Sequence, residues 1–320
     1  MRKYFYVLTV FLIVQVSAFA QQQPQFSHYS FNGMYLSPAY AGITDKTEVN
    51  MLYRYQWVGY QGSFDSGGAP KTGLISISLP VRFLGGGIGI YATNDRLGVT
   101  ESTSASLAYS AHFKIGTGKL GVGVQGNLTN IKKGEYRPNE PGDPSVPENS
   151  SDSKYDIGAG LWYQSSKLYI GGGINNLLQS KYRFEDSAQT RTSGFGLFTA
   201  RNHAFLTAGY YLAVSPTVTI VPTAIVKYDL NKLSVEAGGR AVLNEKYYAG
   251  VGYRHQEAVT AMAGMYLTRN NALQLGYAFD LTTFNPEAKA LTSHELILSY
   301  SISRPANIIK PIIRTPRYSF

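Results

Sequence analysis

Val49-Asn50-Met51-Leu52-Tyr53-Arg54-Tyr55-Gln56-Trp57 alternates with a period of two: Val49, Met51, Tyr53, Tyr55 and Trp57 share one face, whereas Asn50, Arg54 and Gln56 share the other. Successive side chains of a strand point to opposite faces. The stretch therefore reads as a strand between an apolar environment and a polar one. The pattern returns at 72–81, where Ile75, Ile77, Leu79 and Val81 oppose Thr72, Ser76 and Ser78. Pro80 sits near the end of that segment, where a lost ladder hydrogen bond matters least.

Working outward, further alternating segments fall near 86–94, 101–113, 118–130, 155–164, 167–176, 203–214, 217–228, 232–243, 247–256, 258–268, 271–281 and 294–303, about fourteen in all. Their connections sort by parity. The even-numbered links are short: Phe83 to Gly85, Ile115 to Gly118, Ser165-Ser166, Ser215-Pro216, Asn244-Glu245 and Asn270-Asn271. The odd-numbered links include all the long ones, 58–70, 95–100, 131–154, 177–202 and 282–293, with tight turns near Asn231 and Gln256. Short turns on one side, long loops on the other and an even strand count are the pattern of an outer-membrane barrel. In lipid every backbone N–H and C=O needs a partner, so strands cross only in a closed sheet, with alternate residues facing lipid and the rest facing the lumen. The expected fold is an all-β, transmembrane antiparallel β-barrel of about fourteen strands over 47–303. A periplasmic β-sandwich or a secreted barrel is the soluble alternative, but sandwiches rarely sustain so many segments with loops sorted to one side.

Composition agrees. The chain has 25 Tyr, 33 Gly and no Cys, which favours strands and removes thiol catalysis and Cys-based metal sites. Its +9 charge is scattered rather than gathered on one element with stacking aromatics, so no nucleic-acid partner is expected.

Residues 1–20 read as an export signal, with Arg2 and Lys3 at its start, an apolar stretch from Phe5 to Phe19, and Ala18-Phe19-Ala20 before Gln21. The apolar run is too short for a membrane-spanning helix. Residues 21–46 form an aromatic, turn-rich segment, expected to be extended because Pro24 and Pro38 push their preceding residues that way. The strand count puts it on the periplasmic side, so it is expected to fold into or across the barrel base as a plug. The tail 304–320, with Pro305, Pro311 and Pro316, cannot be a central strand and reads as a basic periplasmic extension.

The lumen-facing set includes Arg54, Asp156, Glu236, Arg240, Arg254, Asp280 and Glu295. Opposite charges in one interior point to an ion-pair network that fills the barrel and fixes its registration, ahead of a transport or catalytic site. Gly121-Val122-Gly123-Val124-Gln125-Gly126 fits the G-x-G-x-x-G pattern, but it lies within an alternating segment instead of between a strand and a helix. No catalytic, cofactor or metal site is expected: the five histidines are dispersed, and neither a nucleophile elbow nor a P-loop is present. Loop 177–202 carries Phe184, Phe195 and Phe198 and is expected to fold over the barrel mouth, whereas the proline-rich loop 131–154 has no core of its own.

Gln25-Phe26-Ser27-x-Tyr29-x-x-Asn32, followed by Pro38-Ala39-Tyr40-Ala41-Gly42, resembles the N-terminal signature of the PorP/SprF family of the type IX secretion system. Ser37 replaces a frequent Asn, and Gly33 a frequent Pro. The likeness continues through Tyr53-Arg54-Tyr55-Gln56-Trp57, Asn94-Asp95 with Gly98, Tyr155-Asp156-Ile157-Gly158-Ala159-Gly160, Gly276-Tyr277-Ala278-Phe279-Asp280 and Ser293-His294-Glu295. The resemblance implies an outer-membrane barrel without enzymatic activity, with lipid around it. It would work with secretion machinery and with cargo carrying a C-terminal secretion domain, such as adhesins, and in some members with gliding motility. Residues 25–42, the lumen and the external loops would carry the contacts. The competing function is a diffusion channel for small solutes; an outer-membrane hydrolase using an interior acid such as Asp280 is a third.

Overall fold

The computed structural model describes residues 23–61, 68–134, 150–184, 197–229, 233–284 and 289–303. The export signal, the tail 304–320, Phe195, Asn231 and the middle of loop 131–154 lie outside those residues.

The strands are β1 (Lys46–Tyr55), β2 (Lys71–Val81), β3 (Gly86–Leu97), β4 (Thr100–Ile115), β5 (Gly118–Lys133), β6 (Ser151–Gln164), β7 (Leu168–Asn175), β8 (Lys181–Arg183), β9 (Leu197–Thr199), β10 (His203–Tyr210), β11 (Leu212–Ser215), β12 (Val218–Tyr228), β13 (Leu233–Leu243), β14 (Tyr247–Arg254), β15 (Ala258–Tyr266), β16 (Leu273–Thr282) and β17 (Thr292–Ser303). Two of them, β8 and β9, form a separate hairpin, and β11 continues β10 past an interruption at Tyr211. The other fourteen pair antiparallel with their barrel neighbours in chain order, and β1 pairs β17 from Lys46↔Ser303 to Tyr55↔His294, so the sheet closes. Closure leaves no edge strand to aggregate or to strand polar groups in lipid.

The period-two reading holds along the wall. Outward-facing Tyr155 and Val251 are 73% and 66% exposed, while inward-facing Arg54 and Asp280 are 2% exposed. Leu107, Val124, Leu206 and Leu296 join the outward belt. Such a continuous apolar surface on a folded chain calls for lipid. Among the described residues no helix is long and apolar enough to cross a membrane.

The short links tighten through left-handed residues: Gly85 (φ 67°) ends the turn Arg82–Leu84 between β2 and β3, Gly116 (φ 57°) lies in the two-residue link between β4 and β5, and Asn244-Glu245 has φ of 50° and 54°. One expected loop is absent. Residues 95–100 reduce to a turn around Gly98 (φ 60°), because polar side chains carry the ladder outward: Asn94 Nδ2 donates to Glu101 Oε1 at 2.7 Å, and Thr72 Oγ1 to Asp95 Oδ1 at 2.6 Å. Both β4 and β5 accordingly run for 16 residues, longer than the ten or so that cross a bilayer.

The N-terminal segment is not extended. It folds into three short turns, Tyr29–Phe31, Gly33–Leu36 and Pro38–Tyr40, inside the barrel. Buried backbone groups need partners, and these pair locally: Asn32 N donates to Tyr29 O (3.1 Å), Ser37 N to Gly33 O (2.9 Å) and Ala41 N to Pro38 O (3.2 Å). Pro38 opens its turn, where its missing N–H costs nothing, and Ser37 Oγ caps it by accepting from Ala39 N.

Candidate functional site: the plugged lumen

The plug runs through the lumen from the long-loop half to the short-turn end. Near its start, Gln25 Nε2 donates to Ser234 Oγ (3.2 Å) at the outer end of β13. Near its finish, Gly42 N donates to Ser78 Oγ (2.8 Å) on β2, and His112 Nε2 lies 2.9 Å from Ala41 O. It reaches deeper than a cover across the base.

All ten motif residues face the inside of the protein. Phe26 packs with Leu52, Leu74 and Ile297, and meets Tyr35 edge-on at 5.1 Å. Tyr29 OH lies 2.9 Å from Thr223 Oγ1, and Asn32 Oδ1 accepts from Ser76 Oγ at 3.2 Å. Ala39 O accepts from Ser110 Oγ at 3.0 Å. Tyr40 donates to Glu48 Oε2 at 2.9 Å, with its ring edge-on to Trp162 at 5.0 Å. Burial first, and then the Glu48 carboxylate, push the Tyr40 phenol well above its ordinary range, so it remains a donor.

Close approach of plug to wall needs wall positions without side chains. A Cβ on Gly121 or Gly123 would collide with the backbone of Ala39. The G-x-G-x-x-G run is therefore a groove in β5 for the plug, with Gly126 facing outward into open space. Gly42 combines a φ of 69° with Leu79 O and Pro80 Cα each 2.8 Å from where a Cβ would stand, so only glycine fits.

The charged residues divide into two linked clusters. Arg54 donates from Nη2 to Asp280 Oδ2 at 2.6 Å and from Nη1 to Glu295 Oε2 at 3.1 Å. Arg54 and Glu295 stand directly opposite each other where the first strand meets the last. Arg254 donates from Nε to Glu236 Oε2 at 2.8 Å, its register partner on β13, and from Nη1 to Glu257 Oε1 at 3.0 Å. Asp280 links the clusters, 3.9 Å from Arg254, and accepts from Thr260 Oγ1 at 2.7 Å. The plug enters here: Ser27 Oγ donates to Asp280 at 2.7 Å, the Ser27 and His28 amides each donate to Glu295 at 2.8 Å, and His28 Nδ1 lies 2.8 Å from Glu295 Oε1.

Two of the expected lumen charges stand apart. Arg240 donates to Ser30 Oγ at 2.8 Å and lies over the Phe31 ring, 4.3 Å from its centroid. Asp156 accepts backbone N–H groups from Ile157 (2.8 Å), Leu178 (2.9 Å) and Ser180 (3.2 Å), and so anchors the long link instead of an arginine. Sequence reading missed Ser27 as a charge partner, and also His28, Glu257 and Thr260. His28 occupies the variable position of the motif, and Glu257 lies in a turn outside the alternation. Among the described residues no group of acids and histidines is arranged to hold a metal ion.

A barrel whose interior is occupied by its own N-terminal segment, anchored by this motif, narrows the family. Residues 18–300 match the family described as Type IX secretion system membrane protein PorP/SprF. The chain belongs to the PorP/SprF family. PorP/SprF proteins are outer-membrane components of type IX secretion, which sets this barrel in the outer membrane with its short turns toward the periplasm. Family and fold are those of a secretion or transport barrel and not of an enzyme class. No curated protein matches the chain. Solved barrels resemble it distantly: the outer membrane protein Omp33 of Acinetobacter baumannii (9% identity over 80% of this chain and 98% of that one, TM-score 0.45), the CymD monoaromatic hydrocarbon channel (13%, 85% and 92%, 0.48) and the toluene transporter TbuX of Ralstonia pickettii (12%, 84% and 92%, 0.48). At these scores the likeness says nothing about what this PorP/SprF chain carries or binds.

Proposed function

We propose that this PorP/SprF barrel serves type IX secretion as a docking component for cargo bearing a C-terminal secretion domain, such as adhesins held at the surface, and not as a diffusion pore for small solutes. The observation that carries this reading is the occupied lumen. A pore needs an open polar path, whereas a docking protein tolerates a plug and needs exposed surface outside it. The motif Gln25 to Gly42 then acts as the plug's fastening, and its effect on partners is exerted through the barrel. Candidate contact surfaces are the outer ends of β4 and β5, the β8–β9 hairpin and the loops beside them. On the periplasmic side the basic tail 304–320 is assigned to contacts with other secretion proteins. In gliding cells the same role would couple adhesins to motility.

Affinity purification of the tagged full-length barrel from native membranes, followed by mass spectrometry, tests the docking role. Cargo with a secretion domain, or proteins of the secretion machine, should co-purify with it. Recovery of neither would end the proposal.

A further inference from the structure

Above the plug the outer lumen opens into a cavity of about 330 Å3, within the range of ordinary ligand sites. Its depth is read from β4, where Ser110, Ala108 and Ser106 are sealed against the plug, whereas Ser104 and Ser102 above them are half-exposed. Pro24 and Tyr35 of the plug line its inner end. The β8–β9 hairpin lies across it, with Leu178 N and Ser180 N donating to Asp156 at 2.9 and 3.2 Å and Arg183 N to Asp152 Oδ2 at 2.8 Å.

The polar side chains around this chamber are largely engaged with one another. Ser104 Oγ and Thr129 Oγ1 share a hydrogen bond at 2.8 Å, and the Tyr182 phenol bonds to Thr129 as well. Tyr35 OH donates to Pro24 O at 3.2 Å, Thr72 Oγ1 donates to Asp95 Oδ1 at 2.6 Å, and Asn176 Nδ2 donates to Arg201 O at 3.0 Å. Among the described lining residues Asp95 is the only acid and Lys133 the only base, and the Lys133 ammonium lies 4.6 Å from the Phe184 ring centroid. Between these groups the lining is apolar: Leu97, Ile131, Phe184, Phe198 and Ala200, together with the tyrosine rings.

Three classes of ligand meet this lining differently. The hydroxyls of a sugar would be desolvated against groups that already have partners, a cost without return. An ion would meet one acid and one base of opposite effect. A neutral hydrocarbon asks for no hydrogen bond, and it gains by taking its own surface and the apolar lining out of water. We propose that this chamber binds a small neutral apolar molecule. At about 30 Å3 for each water-sized group it holds roughly ten non-hydrogen atoms, the size of a bicyclic aromatic. The plug closes the inner end, so the chamber retains such a molecule and does not conduct it. The site is independent of the docking role.

Isoleucine methyl NMR of the full-length barrel in phospholipid nanodiscs, where no free detergent chain competes, tests the assignment. The probes are naphthalene, 2-naphthoate and methyl glucoside. Naphthalene should shift the Ile131 methyl saturably and show nuclear Overhauser contacts to it. Ile170, outward-facing and 43% exposed, should follow only the linear partition of naphthalene into lipid. Ser102→Trp, which places an indole in the chamber, should weaken the saturable binding by about tenfold or more. Ser104→Ala, which leaves Thr129 paired with Tyr182, should keep it within about twofold. Heat-modifiable migration of each variant verifies that its barrel is folded. No saturable shift at Ile131, unchanged binding in folded Ser102→Trp, a loss of about tenfold in Ser104→Ala, or saturation by methyl glucoside or 2-naphthoate in preference to naphthalene would overturn the proposal.

Discussion

At the scale of single residues, Arg54 shows how far alternation reaches. Its place on the polar face of β1 follows from its neighbours, but its pairing with Glu295 depends on the first strand meeting the last, which no local pattern specifies. Removing one member of a buried pair leaves the other charge without compensation, a loss of about 3–5 kcal/mol. Arg54→Ala, which strips both Asp280 and Glu295 of their shared partner, should therefore lower the thermal unfolding midpoint of the detergent-solubilised barrel well below that of wild type. Arg54→Lys should fall between them, since it keeps the charge but not the two-pronged donor geometry. Equal midpoints for all three proteins would show that the network contributes little. Ser27 and His28 were illegible for a related reason: a serine or histidine in a plug has no periodicity to reveal what it touches.

Gly123 was legible as a strand glycine but not as a docking groove. Because the chain has no cysteine, an introduced thiol reports plug position cleanly. Ala39→Cys should resist maleimide in the folded barrel, and adding Gly123→Val should make it reactive, whereas Gly126→Val, which points into open space, should leave it protected. Protection in both backgrounds would mean that the plug absorbs the added side chain.

At the scale of elements, the strands were readable and the irregular pieces were not. The run 95–100 looks like a loop by composition, yet cross-strand hydrogen bonds carry β3 and β4 to a tight turn at Gly98. The plug's prolines suggested extension, but Pro38 starts a turn. The interruption at Tyr211 also left no pattern to find: Tyr211 turns inward toward Tyr169 at 6.3 Å, and its N–H goes to Lys167 O at 2.8 Å. The β8–β9 hairpin was foreseen only as aromatic residues over the mouth; Phe184 and Phe198 do pack there with Tyr182, Ile131 and Ala200. Its dependence on Asp156 gives a local prediction. Asp156→Ala removes the acceptor of three amides at about 1–3 kcal/mol for each buried group left unpaired. Amide hydrogen exchange at Leu178 and Ser180 should accelerate by tenfold or more while exchange in β13 and β14 stays slow. Unchanged exchange at both amides would assign the hairpin's order to its aromatic cluster.

At the scale of the whole molecule, the parity of link lengths carried most of the architecture, because closure in lipid forces an even up-and-down path. What it could not reveal was the state of the interior. A lumen lined with Arg, Asp and Glu suits a water-filled channel as well as a plugged one, and the difference lies in 23 residues of chain, 23–45, whose side chains find partners on nearly every strand. Single-channel conductance of the purified full-length barrel in planar bilayers tests that difference most directly. The plugged barrel should give no large steady current, and Gly123→Val, by displacing Ala39, should raise the open fraction; a large, steady current from the wild-type protein would contradict the account.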